Sequence, residues 1–418
     1  MFRKLASLFL IFCGQALAQG VIYPAQQGLD CSGKTDNSPV WNKLLASTGD
    51  DTTFVLPIGC IDQHASTVAV SSRSNFSLVS VDRVQNGGGN NRPIELWTGS
   101  VGGMWDFQAN QAPTIEGFLF TNASASHLDY FLRFDGNPSA RIGTEALVRY
   151  NTFTNTRNDP NFSAITINVI SQQNHEKNVI TDNDFFCSQS SAFRESDSTQ
   201  ITSGSTSITC GLGNCTYLSD AKVGDRVRIS YATGILDTSI ASIVDDNHLT
   251  VTTGSTSTQS NARLHFRQAY GNGITIGSVN SKHNTLDRNS FTQCARGLNV
   301  INGSFSAEHL SGYADDVLAY IGNVAEPSEL AYLEDEIALR EVYVENIDAP
   351  LVIRYARNSI YNAESDGFFY FNKSARVTIT ASSLQSTPIK NSVLIRASNP
   401  YTVVLLSIGN LWAPGAVD

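Results

Sequence analysis

Positive charge is scarce. The 418 residues carry 28 Lys and Arg against 38 Asp and Glu, a formal charge of -10. The basic footprint of a nucleic-acid-binding chain is therefore absent. Charge of either sign is sparse, at 16% of residues, and there are two methionines. Long helical periodicities are rare, while Ser, Thr, Asn and Gly abound. That composition favours β-structure with many turns. Beyond the first twenty residues no apolar run is long enough for a transmembrane helix.

The early apolar run reads as a secretory signal peptide. Arg3 and Lys4 form its positive end, Leu5 to Cys13 its apolar core, and Ala16-Leu17-Ala18 a small-x-small cleavage site. Cutting after Ala18 removes residues 1–18 and leaves a secreted or periplasmic chain, 19–418. That chain has 26 basic and 38 acidic residues, a charge of -12. Six cysteines remain, an even number in an exported protein, which suggests disulfides. The expected pairs are Cys31–Cys60, Cys187–Cys294 and Cys210–Cys215.

The chain also repeats. "VRYNTFTNT" places Asn151 before Phe153, "ITDNDFFCS" places Asn183 before Phe185, and "LDRNSFTQC" places Asn289 before Phe291. "IEGFLFTNA" fits with Phe120 and lacks the Asn. Alternating Ile and Val runs such as "SAITINVIS" and "GNGITIGSV" lie between. The period is roughly 20–30 residues, the mark of a solenoid. One unit cannot bury its own apolar face, so units stack. Asn recurs because its amide can bond the Asn of the next coil, as in amide ladders. Cys187 and Cys294 then meet across one strand spacing.

Residues 197–267 break the rhythm and read as an inserted small β-subdomain. It is either a decoration or a wall beside a binding groove. Gly312 to Val342 mixes weak helical periodicity with acidic residues, and reads as a loop or short helices. Asp315-Asp316 and Glu334-Asp335-Glu336 read as solvated acidic faces.

"QGLDCSGKTDNSPVWNKLLAS" followed by "DDTTFVLPIGCI" resembles the amino-terminal cap of pectate-lyase-superfamily right-handed parallel β-helix proteins. Gly33, Thr35, Asp36, Leu56, Pro57 and Gly59 carry the match. The resemblance implies an all-β parallel β-helix whose open end is plugged by a short helix, Trp41 to Ala46. It also implies a carbohydrate-facing groove, since most relatives are polysaccharide lyases, glycoside hydrolases or sugar epimerases. The polygalacturonase and pectate-lyase catalytic motifs are missing, so neither activity carries over residue by residue.

In the repeat alignment Tyr150, Asp182 and Arg288 share a column just before the Asn ladder. His175, Lys177, Lys282 and His283 cluster upstream, and Arg149, Arg194, Glu195 and Arg296 are near the same coils. A lyase acting on a uronic acid needs a base, a cation to neutralise the carboxylate, and an acid for the leaving oxygen. Lys177 or His283 is the candidate base. Arg288, or a Ca²⁺ held by Asp182 and Asp184, is the candidate neutraliser. Tyr150 is the candidate acid. His175, Lys282, Arg296 and Arg194 are candidate substrate contacts. A hydrolase would draw two carboxylates from Asp182, Asp184, Asp287 and Glu195. Each residue also has a plain role open to it, as a solvated coil cation or a turn-capping carboxylate. Trp97 and Trp105 could stack sugars, although core packing is the stronger reading. The expected function is an exported polysaccharide-active protein, a lyase first. A glycoside hydrolase and a non-catalytic glycan-binding, adhesin or polysaccharide-assembly protein are the alternatives. A neutral glycan is as admissible as an acidic one.

Overall fold

A computed structural model of the chain describes residues 20–397, apart from 82–91, 124–125, 136–142, 171–174, 189–194, 336–339, 346–348, 356–368, 373–376, 382–394 and scattered positions at 212–233, 268, 314, 316 and 325. Residues 1–18, read above as a signal peptide, and Arg194 lie outside the described residues.

The backbone winds through three parallel sheets. Among the described residues sheet A has eleven strands, sheet B nine and sheet C ten. One lap runs Leu147–Arg149 in sheet A, Thr152–Thr154 in sheet B and Ser163–Ile167 in sheet C. Each strand pairs in parallel with its counterpart one lap away, as Leu147 does with Val179 and Phe153 with Phe185. This is a parallel β-helix.

Stacking explains the repeated residues. Inward positions such as Val148, Ile180, Leu286 and Leu330 are buried and lie in one file. The repeated phenylalanines form another file. Phe120, Phe153, Phe185 and Phe291 are stacked with centroid spacings of 4.8, 5.0 and 5.2 Å. Those spacings follow the separation of neighbouring strands, about 4.8 Å. Asn151 Nδ2 donates to Asn183 Oδ1 at 3.1 Å, and Asn183 Nδ2 to Asn289 Oδ1 at 3.2 Å. A second ladder joins Asn178 Nδ2 to Asn284 Oδ1 at 2.7 Å. The ladders satisfy buried amides where the chain turns without strand partners. All three expected disulfides are present.

Near the start, helix α1 (Ser38–Ser47) has proline in its first turn, where the missing N–H costs nothing. Its Trp41 is fully buried, edge-on to Phe54 at 5.2 Å and to Trp105 at 4.9 Å. Gly33, one of the resemblance positions, sits at φ +70, and a Cβ there would lie 2.5 Å from the Ile61 side chain.

Between Asp184–Phe186 of sheet B and Asn272–Gly277 of sheet C the chain leaves the helix. It builds a closed antiparallel barrel from Glu195–Ile201, Ser207–Cys210, Arg226–Tyr231, Gly234–Asp245, His248–Val251 and Gln259–Arg267. Ile208, Val227, Ile229, Leu249 and Leu264 give it a core of its own.

Two sequence expectations need correction. The segment 312–342 is not helical where described: it supplies strands Val317–Ile321, Ser328–Ala331, Glu334–Asp335 and the start of Arg340–Glu345. Its short apolar runs, such as Val317–Ile321, are buried as strands between turns. Asp315 is no solvated face, because it is buried and accepts the Cys294 amide at 2.6 Å. Trp97 and Trp105 are fully buried, in keeping with the core-packing reading.

Candidate functional site

Two turns recur along the winding, and on several of the described laps each holds a residue in the left-handed region. The turn from sheet A to sheet B puts Gly117, Tyr150, Asp182, Arg288, His309 and Tyr332 in register. The five that are not glycine have φ between 48 and 57. Glycine would hold this backbone at less cost, because a Cβ there is unfavourable by about 1–2 kcal/mol. The turn from sheet C to sheet A aligns Glu145, Lys177 and His283, again at positive φ.

This arrangement divides the sequence candidates. Tyr150, Asp182 and Arg288 stand together at the first turn. Lys177 and His283 stand at the second, with Lys282 and the short strand His175–Glu176. Lys177 and Asp182 are five residues apart on a near-extended strand, so the turns are about 15 Å apart. The candidate base and the candidate cation therefore do not share a site. At the second turn the cations are spent on carboxylates. Lys282 Nζ meets Glu326 at 2.5 Å, His283 Nε2 meets the same carboxylate at 3.4 Å, and Lys177 meets Glu145 at 3.7 Å.

The first turn holds a continuous exposed ribbon. Arg288 Nε and Nη2 donate to the two oxygens of Asp182 at 2.6 and 3.0 Å. Nη2 also donates to Thr181 Oγ1, and Nη1 to Asp287. Asp287 Oδ1 faces His309 Nδ1 at 3.0 Å. The His309 ring stacks on Tyr332 with centroids 4.8 Å apart and planes 4° apart. At the other end Arg149 pairs with Glu116 at 3.2 Å and lies over the Tyr150 ring at 5.4 Å. Hydrogen bonds from Arg288 hold the Asp182 carboxyl below its ordinary range, and Asp182 holds the guanidinium above its own.

His309 and Tyr332 are the residues that the sequence reading missed. The Asn-before-Phe pattern stops after Phe291, since Leu310 and Leu333 stand at the position of Asn289 one and two laps later. A lap length of 21–23 residues counted on from Arg288 would have found both.

The metal expectation is not met by this geometry. Both Asp182 oxygens are taken by Arg288, and Asp184 Oδ1 accepts from Ser290 at 2.6 Å. Arg296 stands elsewhere, on the outer face of sheet C. It lies over Tyr320 at 3.8 Å and donates to Asn299 at 2.9 Å. The same face carries Arg133, bound to Asp106 at 3.0 and 2.6 Å. Asp106, Asp135, Thr275 and Asn299 are buried there. Sheet C thus presents a recessed polar face whose groups bond one another.

No protein-family profile matches the chain, and no curated protein matches it. Among solved structures, the A-module of the Azotobacter vinelandii mannuronan C-5 epimerase AlgE4 aligns with 95% of this chain and 99% of its own, at 9% identity and TM-score 0.35. The Dettilon tailspike protein aligns with 91% of this chain and 69% of its own, at 10% identity and TM-score 0.30. The fold is read from the strand pairing itself.

Proposed function

We propose that this is an exported polysaccharide-active protein that lays a glycan along the turn ribbon and cleaves it by β-elimination. The observation that carries the reading is the Asp287–His309 pair beside Arg288 and Tyr332. A carboxylate at Nδ1 fixes the imidazole tautomer and leaves Nε2 with the basic lone pair. The ring is half exposed, at 51%. Nε2 takes the proton α to a uronate carboxylate. The electron pair then forms the C=C bond as the C–O bond breaks. Arg288, whose bonds named above use four of its five N–H donors, faces the charge that develops on the carboxylate. Tyr332 protonates the leaving oxygen.

Hydrolysis has less support. It needs a carboxyl that keeps its proton near neutrality. Asp182 is shifted the wrong way. Among the described residues the carboxyl raised to about 7 is Glu95, which is wholly buried. A non-catalytic glycan-binding role is the second reading. Its support is that Glu116, Arg149, Asp182, Asp287 and Arg288 already pair with one another. Three disulfides accord with an oxidising compartment. No helix among the described residues is long and apolar enough to cross a membrane.

The test is incubation with a panel of acidic and neutral polysaccharides. Ultraviolet absorbance of an unsaturated product marks a lyase, and reducing ends without it mark a hydrolase. Binding without product from any glycan supports the second reading and sinks the first.

A further inference from the structure

A second cluster of chemically active groups is sealed inside the first laps. Strand Ile61–His64 points Asp62 and His64 inward, and its neighbour Ile94–Trp97 points Glu95 inward. All three are 0% exposed. His64 Nε2 lies 2.8 Å from Glu95 Oε2 and 3.3 Å from Asp62 Oδ2. One ligand atom from each residue fits within 4.8 Å of the others. The surrounding donors are neutral. Asn37 Nδ2 donates to Asp62 Oδ1 at 2.8 Å, Trp41 Nε1 to Asp62 Oδ2 at 2.6 Å, and Trp105 Nε1 to Glu95 Oε2 at 3.0 Å.

This enclosure is short of positive charge. Two carboxyl groups face one imidazole, so either a negative charge is buried without a partner or a carboxyl must keep its proton. Uncompensated buried charge is costly. Moreover, Glu95 Oε1 has no hydrogen-bond partner, although it is buried.

We propose that Asp62, His64 and Glu95 form a closed site for one divalent transition-metal cation of the zinc type. Two carboxylates, a neutral imidazole and a dication sum to zero charge. Glu95 Oε1 supplies a fourth donor atom, which leaves His64 Nδ1 as the unmatched atom of the cluster. Nitrogen with carboxylate oxygens in a four-donor set suits zinc. Calcium would need six to eight oxygens, and magnesium a near-ideal octahedron. The tryptophan and asparagine donors hold the ligating carboxylates, as outer partners do in established metal sites. With no exposed ligand the cation enters during folding. It ties two adjacent laps to each other and, through Asn37 and Trp41, to helix α1.

The experiment refolds the full chain from urea with Zn²⁺, desalts it, and measures metal by mass spectrometry. The expected result is one zinc per wild-type chain and almost none in Glu95→Gln. A wild-type chain without zinc overturns the proposal. So does Glu95→Gln that folds and keeps its zinc. Should Glu95→Gln fail to fold, wild type decides alone. Refolded with Co²⁺ it should show visible absorption bands of a low-coordinate nitrogen–oxygen site. Refolded with a chelator it should melt below the zinc-loaded form. Absent bands and equal melting temperatures sink the site.

Discussion

His309 Nδ1 lies 3.0 Å from Asp287 Oδ1, although 22 residues separate them. One lap of the helix closes that gap, because Asp287 and Glu308 are cross-strand partners and His309 follows directly. The pair is thus set by the paired ends of two strands, with His309 the first turn residue after one of them.

If His309 is the base, His309→Ala lowers kcat by about 10²–10⁴-fold. Asp287→Asn lowers it less, since the imidazole loses the carboxylate that fixes its tautomer and orientation. Lys177→Ala, on the other turn, leaves turnover nearly unchanged. Steady-state rates on the preferred glycan check all three. A dead Lys177→Ala beside an active His309→Ala would move the site to the sheet C to sheet A turn.

Asn183 is the middle rung of its ladder. Its Oδ1 accepts the Asn151 amide at 3.0 Å, and its Nδ2 donates to the carbonyls of Val148 at 3.0 Å and Thr181 at 2.9 Å. Asn183→Ala strands several buried groups, each worth about 1–3 kcal/mol. The expected destabilisation is about 3 kcal/mol, read from the urea midpoint at constant slope.

The Cys187–Cys294 bridge closes a loop of 107 residues. On the chain-entropy model such a loop is worth about 4–5 kcal/mol. The double Cys→Ala variant should lose most of that, while the Cys210–Cys215 double variant, closing 5 residues, loses far less. Denaturant unfolding of both variants tests the ranking.

Asp182 contributes to stability in a defined window. Its carboxyl in the fold lies below the ordinary 3.8, chiefly through hydrogen bonds from Arg288. Its contribution is complete above that value and is lost as pH falls through the folded value. Wild type should exceed Arg288→Met by up to about 1 kcal/mol near neutrality, as exposed pairs do. The two should converge in acid below pH 3.8. A constant gap across the series would show that packing, not charge, makes the difference.

The winding, the Cys187–Cys294 bridge and the Asn151–Asn183–Asn289 file were legible because they follow the repeat. A residue that recurs once per lap has one physical explanation, contact with its own copies. The candidate site was half legible. Tyr150, Asp182 and Arg288 came into view because the asparagine beside them marked their column. His309 and Tyr332 did not, because leucine fills that inner position on the later laps and removes the marker. Lys177 and His283 also precede a ladder asparagine, so the two turns look alike along the chain. Only the three-residue width of sheet A sets them apart. The Asp62–His64–Glu95 cluster carries no periodic signal, since each member occurs once.

The barrel departs after Phe186 and its chain rejoins before Asn272, yet Phe185 and Phe291 stack as though nothing intervened. The two stumps are sewn together, for the Tyr270 amide donates to the Ser188 hydroxyl, which in turn donates to the Gln293 carbonyl. A graft with adjoining ends asks only for closure, so this junction can accept, lose or exchange a whole folded appendage while the winding beneath continues unbroken.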